Sequence, residues 1–467
     1  MTAAIETLAP YVPALVLRRL AAEPAMIARQ VRVPAAVLFT DISGFTKLTE
    51  RLARGGPGGA ETLSVLLNVY FEQLIARIAA HGGDVAKLAG DALIALWPAE
   101  AGETPAEMTL RAAQCGLAVH ETLRDYEVAE GVCLSTKAGI ACGEVVAMQV
   151  GGVLNRWELL LAGAPLVQMG VAEKQAEPGD VVLAPEAWDL VRDACTGTDI
   201  EHGCVRLEAI RRPIAPRPIE VPTPPEEAEA ALLGYIPGAI RARLVAGQTE
   251  WLGELRRITV LFVNLPDLNP ADRQAGPGVL ERTQEVVRAL QAALYAYEGS
   301  VNKLSVDEKG TTLVAALGLP PLAHEDDAIR GVQAALAMRA GLRELGVRCA
   351  IGVATGRVYC GEIGGAARRE YTIIGDVVNL AARLMQKAGE GETGADGVLC
   401  DAATFQAAWT RLAFVPLPPV RLKGKADPVP VFRPEGRAAP EAGREPIVGR
   451  APERTLLAER LDALGAG

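Results

Sequence analysis

Val37-Leu38-Phe39-Thr40-Asp41 returns later in the same chain as Val260-Leu261-Phe262-Val263-Asn264, and that echo decides the fold. Two further segments repeat in the same order. Lys87-Leu88-Ala89-Gly90-Asp91 is matched by Lys303-Leu304-Ser305-Val306-Asp307, and Gly139-Ile140-Ala141-Cys142-Gly143 by Gly352-Val353-Ala354-Thr355-Gly356. The offsets run from 213 to 223 residues. Solenoid periods are roughly 20–50 residues, so this is a duplicated domain and not a short repeat. The polar residues are divided unevenly between the copies, which points to one composite site at a pseudo-twofold interface.

Within the first copy, Ala36–Phe39 reads as a short buried strand stopped by Asp41-Ile42-Ser43-Gly44-Phe45. A glycine-rich loop then leads to an amphipathic helix over 61–80, ended by His81-Gly82-Gly83. Residues 85–88 and 92–97 form a hairpin turning at Gly90-Asp91. A helix over 108–123 and strands near 134–141, 144–149 and 157–160 complete the pattern. Each copy is therefore an α+β domain, one sheet with helices packed against it. The expected organisation is a helical segment at 1–33, packed on the first domain at 34–210, then a connector at 211–255. A second domain at 256–433 follows, and 434–467 forms a linker and the start of a further domain.

Composition narrows the function classes. A chain of 467 residues holds two or three domains with real cores. No run approaches the roughly 18 apolar residues of a membrane span, and the start lacks the order of a signal peptide. Eight cysteines without a C-x-x-C pair suit buried, reduced thiols in a cytoplasmic protein. Four scattered histidines argue against a histidine-based zinc site. A net charge of −10 disfavours a broad nucleic-acid surface.

Asp41 ends a strand and Asp91 sits in a hairpin turn, where a carboxylate is both rigid and accessible. Two such groups on neighbouring strands suit a pair of divalent cations, and Mg²⁺ favours oxygen ligands. Ile42-Ser43-Gly44-Phe45-Thr46 is expected to open a helix whose free N–H groups receive phosphate. Asp is also a preferred helix N-cap, and Gly90-Asp91 is an ordinary turn pair. The second copy keeps Asp307 but carries Asn264 in place of Asp41, so it cannot build the same site. Conversely, Asn379 and Arg383 share one face of a helix four residues apart. Aligning Gly163 with Gly375 sets Val167 and Val171 opposite them, and Leu160 opposite Thr372.

LFTDISGFTKLTE, VAKLAGDALIALW, NKLSVDEKG, GVATGRVYCGEIG, EYTIIGDVVNLAARL and RLKGKADPVPVF occur in this order across residues 34–432. In these segments the chain resembles the class III nucleotidyl cyclases, and most closely the soluble, bicarbonate-responsive adenylyl cyclases with two tandem catalytic domains. The resemblance implies ferredoxin-like halves pairing within one chain as a pseudo-twofold heterodimer. It implies ATP as substrate, and Asp41, Asp91 and the Ile42 carbonyl as ligands of two Mg²⁺ ions, with Mn²⁺ able to substitute. Ser43, Gly44, Phe45 and Thr46 would contact phosphate, and Lys137 aligns with a lysine that touches the terminal phosphates. Lys303 and Thr372 match the base-reading pair, Asn379 the ribose-orienting residue and Arg383 the stabiliser of charge on the α-phosphate. The closing IVGRAPERTLL is similar to the entry of an ATPase-like regulatory module, which implies a missing C-terminal regulatory region.

The same resemblance frames the alternatives. A catalytically silent, nucleotide-binding sensor would have lost Asp41, Asp91, Asn379 or Arg383, and a guanylyl cyclase would differ at Lys303 and Thr372. A diguanylate cyclase needs a GG[DE]EF-type hairpin where this chain has Leu88-Ala89-Gly90-Asp91-Ala92. Lys87 matches a lysine that helps bind bicarbonate, but its arginine partner is replaced by Gly170. A single ammonium without the two-pronged guanidinium holds a small anion weakly, so the expected bicarbonate response is weak or absent.

Overall fold

The structure, a computed structural model, describes residues 2–43, 57–90, 92–123, 126–129, 132–245, 253–272, 278–390, 397–422 and 427–437, with 452–453, 455–457 and 459–460 beyond them. Two mixed sheets form the framework. In space the first runs Asp84–Ala89, Ala92–Pro98, Arg29–Ser43, Val132–Val153, Val181–Leu183, Val205–Ile210, Cys195–Asp199. The second runs Ser300–Asp307, Gly310–Leu317, Glu254–Leu265, Ala350–Gly364, Gly397–Asp401, Val429–Arg437, Leu412–Val420. The two orders are identical, so the duplication read from the sequence is a duplication of fold. Each long strand also carries an arm, Arg156–Ala162 in the first half and Arg369–Ile374 in the second.

Two strand boundaries differ from the sequence expectation. The strand expected to stop before Asp41 runs from Arg29 to Ser43, because neighbours pair it on both sides through this stretch. The strands expected at 134–141 and 144–149 are one strand, Val132–Val153. Gly143 does not break it: the residue stays in the ladder opposite Ala35, and its missing side chain makes room for Pro165.

The halves exchange helices. Helix Pro57–Ala80 places Leu63, Leu67, Tyr70, Phe71, Leu74 and Ile78 on one stripe at helical spacing. That stripe is buried with Tyr359 and Ile363 of the second half, and the Tyr359 hydroxyl donates to Ser64 Oγ at 3.0 Å. Reciprocally, Val286, Val287 and Leu290 of helix Val279–Tyr295 pack on Val146, Met148 and Val150 of the first half. Gln284 exchanges two 2.8 Å hydrogen bonds with the Gly151 backbone. By length and composition one helical stretch, Thr62–Ala80, is apolar enough to cross a membrane. Its stripe in the shared core accounts for that hydropathy.

The N-terminal helices, Thr2–Leu8 and Ala14–Ala22, do not pack on the first half alone. Ile5, Leu8, Val12 and Val16 enter a core with Tyr371 and Ile373 of the second half. Tyr11 donates to Glu362 at 2.6 Å, while the first-half carboxylate of Asp84 accepts from the N–H groups of Ala14 and Leu15 at 2.9 and 2.7 Å. The segment clamps both halves because its apolar face finds surface on each. Gly139 and Gly352, at matching places in the two copies, let a helix backbone lie directly on the sheet. A Cβ at Gly139 would strike the Met169 carbonyl, and one at Gly352 the Ala381 carbonyl.

Candidate active site

Asp41 is half-buried on a strand held from both sides, with Ala92 and Lys137 as its lateral neighbours. Double pairing fixes the direction of its side chain. Burial, and then the Asp41 charge, push the Tyr70 hydroxyl well above its ordinary pKa, so the carboxylate field reaches that ring. Asp91, Gly44, Phe45 and Thr46 lie outside the described residues, as does the helix expected to open there. Ala92, next in sequence to Asp91, stands directly across from Asp41. A carboxylate on a rigid strand, with the sequence neighbour of Asp91 directly across from it, is the kind of oxygen donor a hard divalent cation prefers. Ile42 is buried and offers only its backbone carbonyl, and Ser43 closes the strand opposite Ser135. Among the described residues no group of three or more such donors gathers.

Lys137 is not a solvated strand lysine. It forms an ion pair with Glu173, itself buried on helix Ala164–Gln175, where Gly139 gives the helix close access. Any phosphate at Lys137 would have to share it with that carboxylate.

The second half supplies different chemistry. Lys303 is buried on strand Ser300–Asp307, which touches the arm Arg369–Ile374 that carries Thr372. The Thr372 hydroxyl is fully buried and has no hydrogen-bond partner among the described residues. Such an orphan is uncommon, and it fits a group that waits for a ligand. Helix Asp376–Gly389 buries Ala381, Leu384, Met385 and Ala388, leaving Asn379 exposed and Arg383 half-buried on its other side. Arg383 makes no hydrogen bond or ion pair among the described residues. None of the described contacts runs from Asp41 to Asn379 or Arg383.

The twin position across the pseudo-twofold is built differently. Asn264 takes the place of Asp41, faces Ala350 where Asp41 faces Lys137, and donates to the Lys309 carbonyl at 3.0 Å. Asp307 accepts from the Lys309 N–H at 2.7 Å. Both have become turn-holding groups. Lys87 is half-buried between the halves and donates to the Leu304 carbonyl. Burial holds its amine below the ordinary lysine range, against the pull of Glu158 and Glu370. Arg156 pairs with Glu158 at 2.9 Å and Arg368 with Glu370 at 3.2 Å, around a cavity of about 60 Å³ that Lys87 also lines. These are the same positions of the two arms, Arg156-Trp157-Glu158 and Arg368-Arg369-Glu370. The sequence carries that pattern at the offset that aligns Gly163 with Gly375, as charges on a strand that look like a solvated face. At Gly170 an added Cβ would meet open space, and the guanidinium groups beside Lys87 are those of Arg156 and Arg368, both already paired with carboxylates.

Comparison with known proteins agrees with this construction. The profile of the adenylate and guanylate cyclase catalytic domain matches residues 28–202 and again 253–404. Adenylate cyclase type 10 of Homo sapiens is 29% identical over 441 residues, covering 86% of this chain. The protein of the same name from Rattus norvegicus is 28% identical over 445 residues, covering 85%. The chain spans about a quarter of the length of these relatives, 26% in each case. A crystal structure of a class III adenylyl cyclase-like ATP-binding protein from Pseudomonas aeruginosa shares the fold. Its TM-score is 0.54 at 12% identity, over 85% of this chain and 92% of that one.

Proposed function

The chain belongs to the adenylate and guanylate cyclase catalytic domain family, and from that premise we propose that it converts ATP to 3′,5′-cyclic AMP and pyrophosphate at one composite site between its halves. The observation that carries this is the division of labour between two halves of identical strand order. Asp41 stands on a doubly paired strand in one, and Asn379 and Arg383, which has no partner among the described residues, share a helix face in the other.

In the reaction the ribose 3′-oxygen bonds to the α-phosphorus, and the bond from that phosphorus to the bridging oxygen breaks. Pyrophosphate leaves with the electron pair, and the hydroxyl proton passes to solvent. Asp41, Asp91 and the Ile42 carbonyl would hold two Mg²⁺ ions, or Mn²⁺, which when bound acidify the 3′-hydroxyl and carry triphosphate charge. Asn379 orients the ribose. Arg383 neutralises charge that grows on the α-phosphate, the work that dominates phosphoryl transfer. Lys303 offers only donors and the Thr372 hydroxyl can donate or accept, so together they suit the adenine edge. Ser43 to Thr46 and Lys137 would contact the phosphates, Lys137 in exchange with Glu173. A cytoplasmic location belongs to the same proposal.

Labelled ATP or GTP with Mg²⁺ or Mn²⁺, followed by product chromatography, tests it. Cyclic AMP should form, with GTP a poor substrate and bicarbonate at fixed pH having little effect. Equal use of the two nucleotides sinks the base assignment. A second possibility is supported by the buried base-reading pair and by the ATP-binding structural relative: nucleotide binding without turnover. ATP that binds and is recovered unchanged would establish it.

A further inference from the structure

A second cavity, of about 280 Å³, opens where the connector crosses between the halves. It lies at the Ser300 end of the second hairpin, away from the Asp307 turn, and Arg156 separates it from the small cavity around Lys87. Its wall is mostly apolar, from Leu154, Ala316, Leu319 and the Pro320-Pro321 pair, and Arg156 and Arg241 break it.

We propose that this cavity binds a small organic monocarboxylate, with the carboxylate between Arg156 and Arg241 and an apolar body against Leu319 and its neighbours. Arg156 is only 8% exposed. Its two terminal nitrogens are used, on Glu158 at 2.9 Å and on the Trp157 and Gly234 carbonyls at 3.2 and 3.3 Å, but its buried Nε has no partner. Among the described residues Arg241 donates only to the Ile236 carbonyl, at 3.3 Å, and its buried Nε is also without a partner. Neither buried Nε–H has an acceptor among the described residues, a costly arrangement in two side chains that line one cavity. Glu298 lines the same cavity but is committed to His324 at 2.8 Å and Arg330 at 2.7 Å.

Charge selects the ligand. Glu158 balances Arg156 and Glu298 is held by Arg330, while no carboxylate among the described residues pairs with Arg241, so Arg241 is the cation of the wall left to an anionic ligand. A monoanion matches that single cation, whereas a phosphate dianion overshoots it and meets a wall that is mostly apolar. Size selects as well, since the volume sits at the lower edge of the roughly 300–1,000 Å³ of ligand pockets. The site does not depend on the cyclase reading, and binding is its readout.

Calorimetric titration of the full chain with benzoate tests the proposal, with benzyl alcohol as the neutral isostere and inorganic phosphate as the anion without a body. Benzoate should bind saturably at one site, and both controls roughly tenfold or more weaker, as expected when charge-assisted hydrogen bonds are lost. Arg241→Met should weaken benzoate by a similar factor while the melting temperature holds. Leu322→Trp, at the exposed edge of the cavity, should do the same by filling it, and it decides the matter if Arg241→Met does not fold. No saturable benzoate binding at millimolar concentration overturns the proposal. So does benzyl alcohol or phosphate binding as tightly, or benzoate binding unchanged in the folded variants.

Discussion

Arg383 and Lys87 show how differently two cations can be kept at one interface. Arg383 has spent none of its donors within the described structure, so its removal should not disturb the fold. Arg383→Ala is expected to melt as the parent does and to lose about 10²–10³ in kcat, the usual cost of one preorganised donor. A steady-state assay on folded protein checks this, and a near-normal kcat would remove Arg383 from the mechanism. Lys87 is the opposite case, a buried amine facing Glu158, Glu370, Arg156 and Arg368. Its folded pKa is lowered, so between that value and the ordinary value of about 10.4 the unfolded chain binds more protons. Stability contributed by this group must therefore rise with pH across that window, and below it the buried charge is a full cost. Lys87→Met keeps the two Arg–Glu pairs and removes the titration. Urea melts at constant ionic strength should show the variant's advantage over the parent shrinking as pH rises towards 10. An advantage that grows instead would contradict the assignment.

At the scale of elements, the two glycines under the site helices make a matched test. Gly352→Ala pushes on the helix that carries Asn379 and Arg383, and Gly139→Ala on the helix that carries Glu173, the partner of Lys137. Each should cost about 1–3 kcal/mol, as overpacking does. Their kinetics should part: a fall in kcat for Gly352→Ala, and mainly a rise in KM for Gly139→Ala. Identical kinetic profiles would argue against the division of roles. The hairpins, the long helices and the repeat were legible in the sequence because each is written in local periodicity. The strand through Asp41 was not, because its length is set by the neighbours that pair with it. The break expected near Gly143 failed for a similar reason, since that glycine serves a helix contact and not a turn. Asp41, Asn379 and Arg383 were legible because the other copy lacks them. The Arg–Glu pairs of the two arms escaped because charges on a strand look like a solvated face until the partner half is in place. Asp91 and residues 44–46 fall outside the described residues, so that part of the site rests on sequence.

For the whole molecule, reciprocal helices and an N-terminal clamp tie the halves together inside one chain. Asp41→Ala and Arg383→Ala proteins, each inactive, should therefore stay inactive when mixed. Rescue towards the parental rate would show that halves pair between chains. The twin position has a further consequence. With Asn264 facing Ala350 there, and the Arg156–Glu158 and Arg368–Glu370 pairs around Lys87, the proposed reaction has a single place in each chain. Homotropic cooperativity needs at least two coupled sites for the same ligand, and this molecule has given one away. Initial velocity against ATP concentration should follow a rectangular hyperbola at every protein concentration, and sigmoidal saturation would mean that chains communicate. Control of such an enzyme has to come from a chemically different molecule than its substrate.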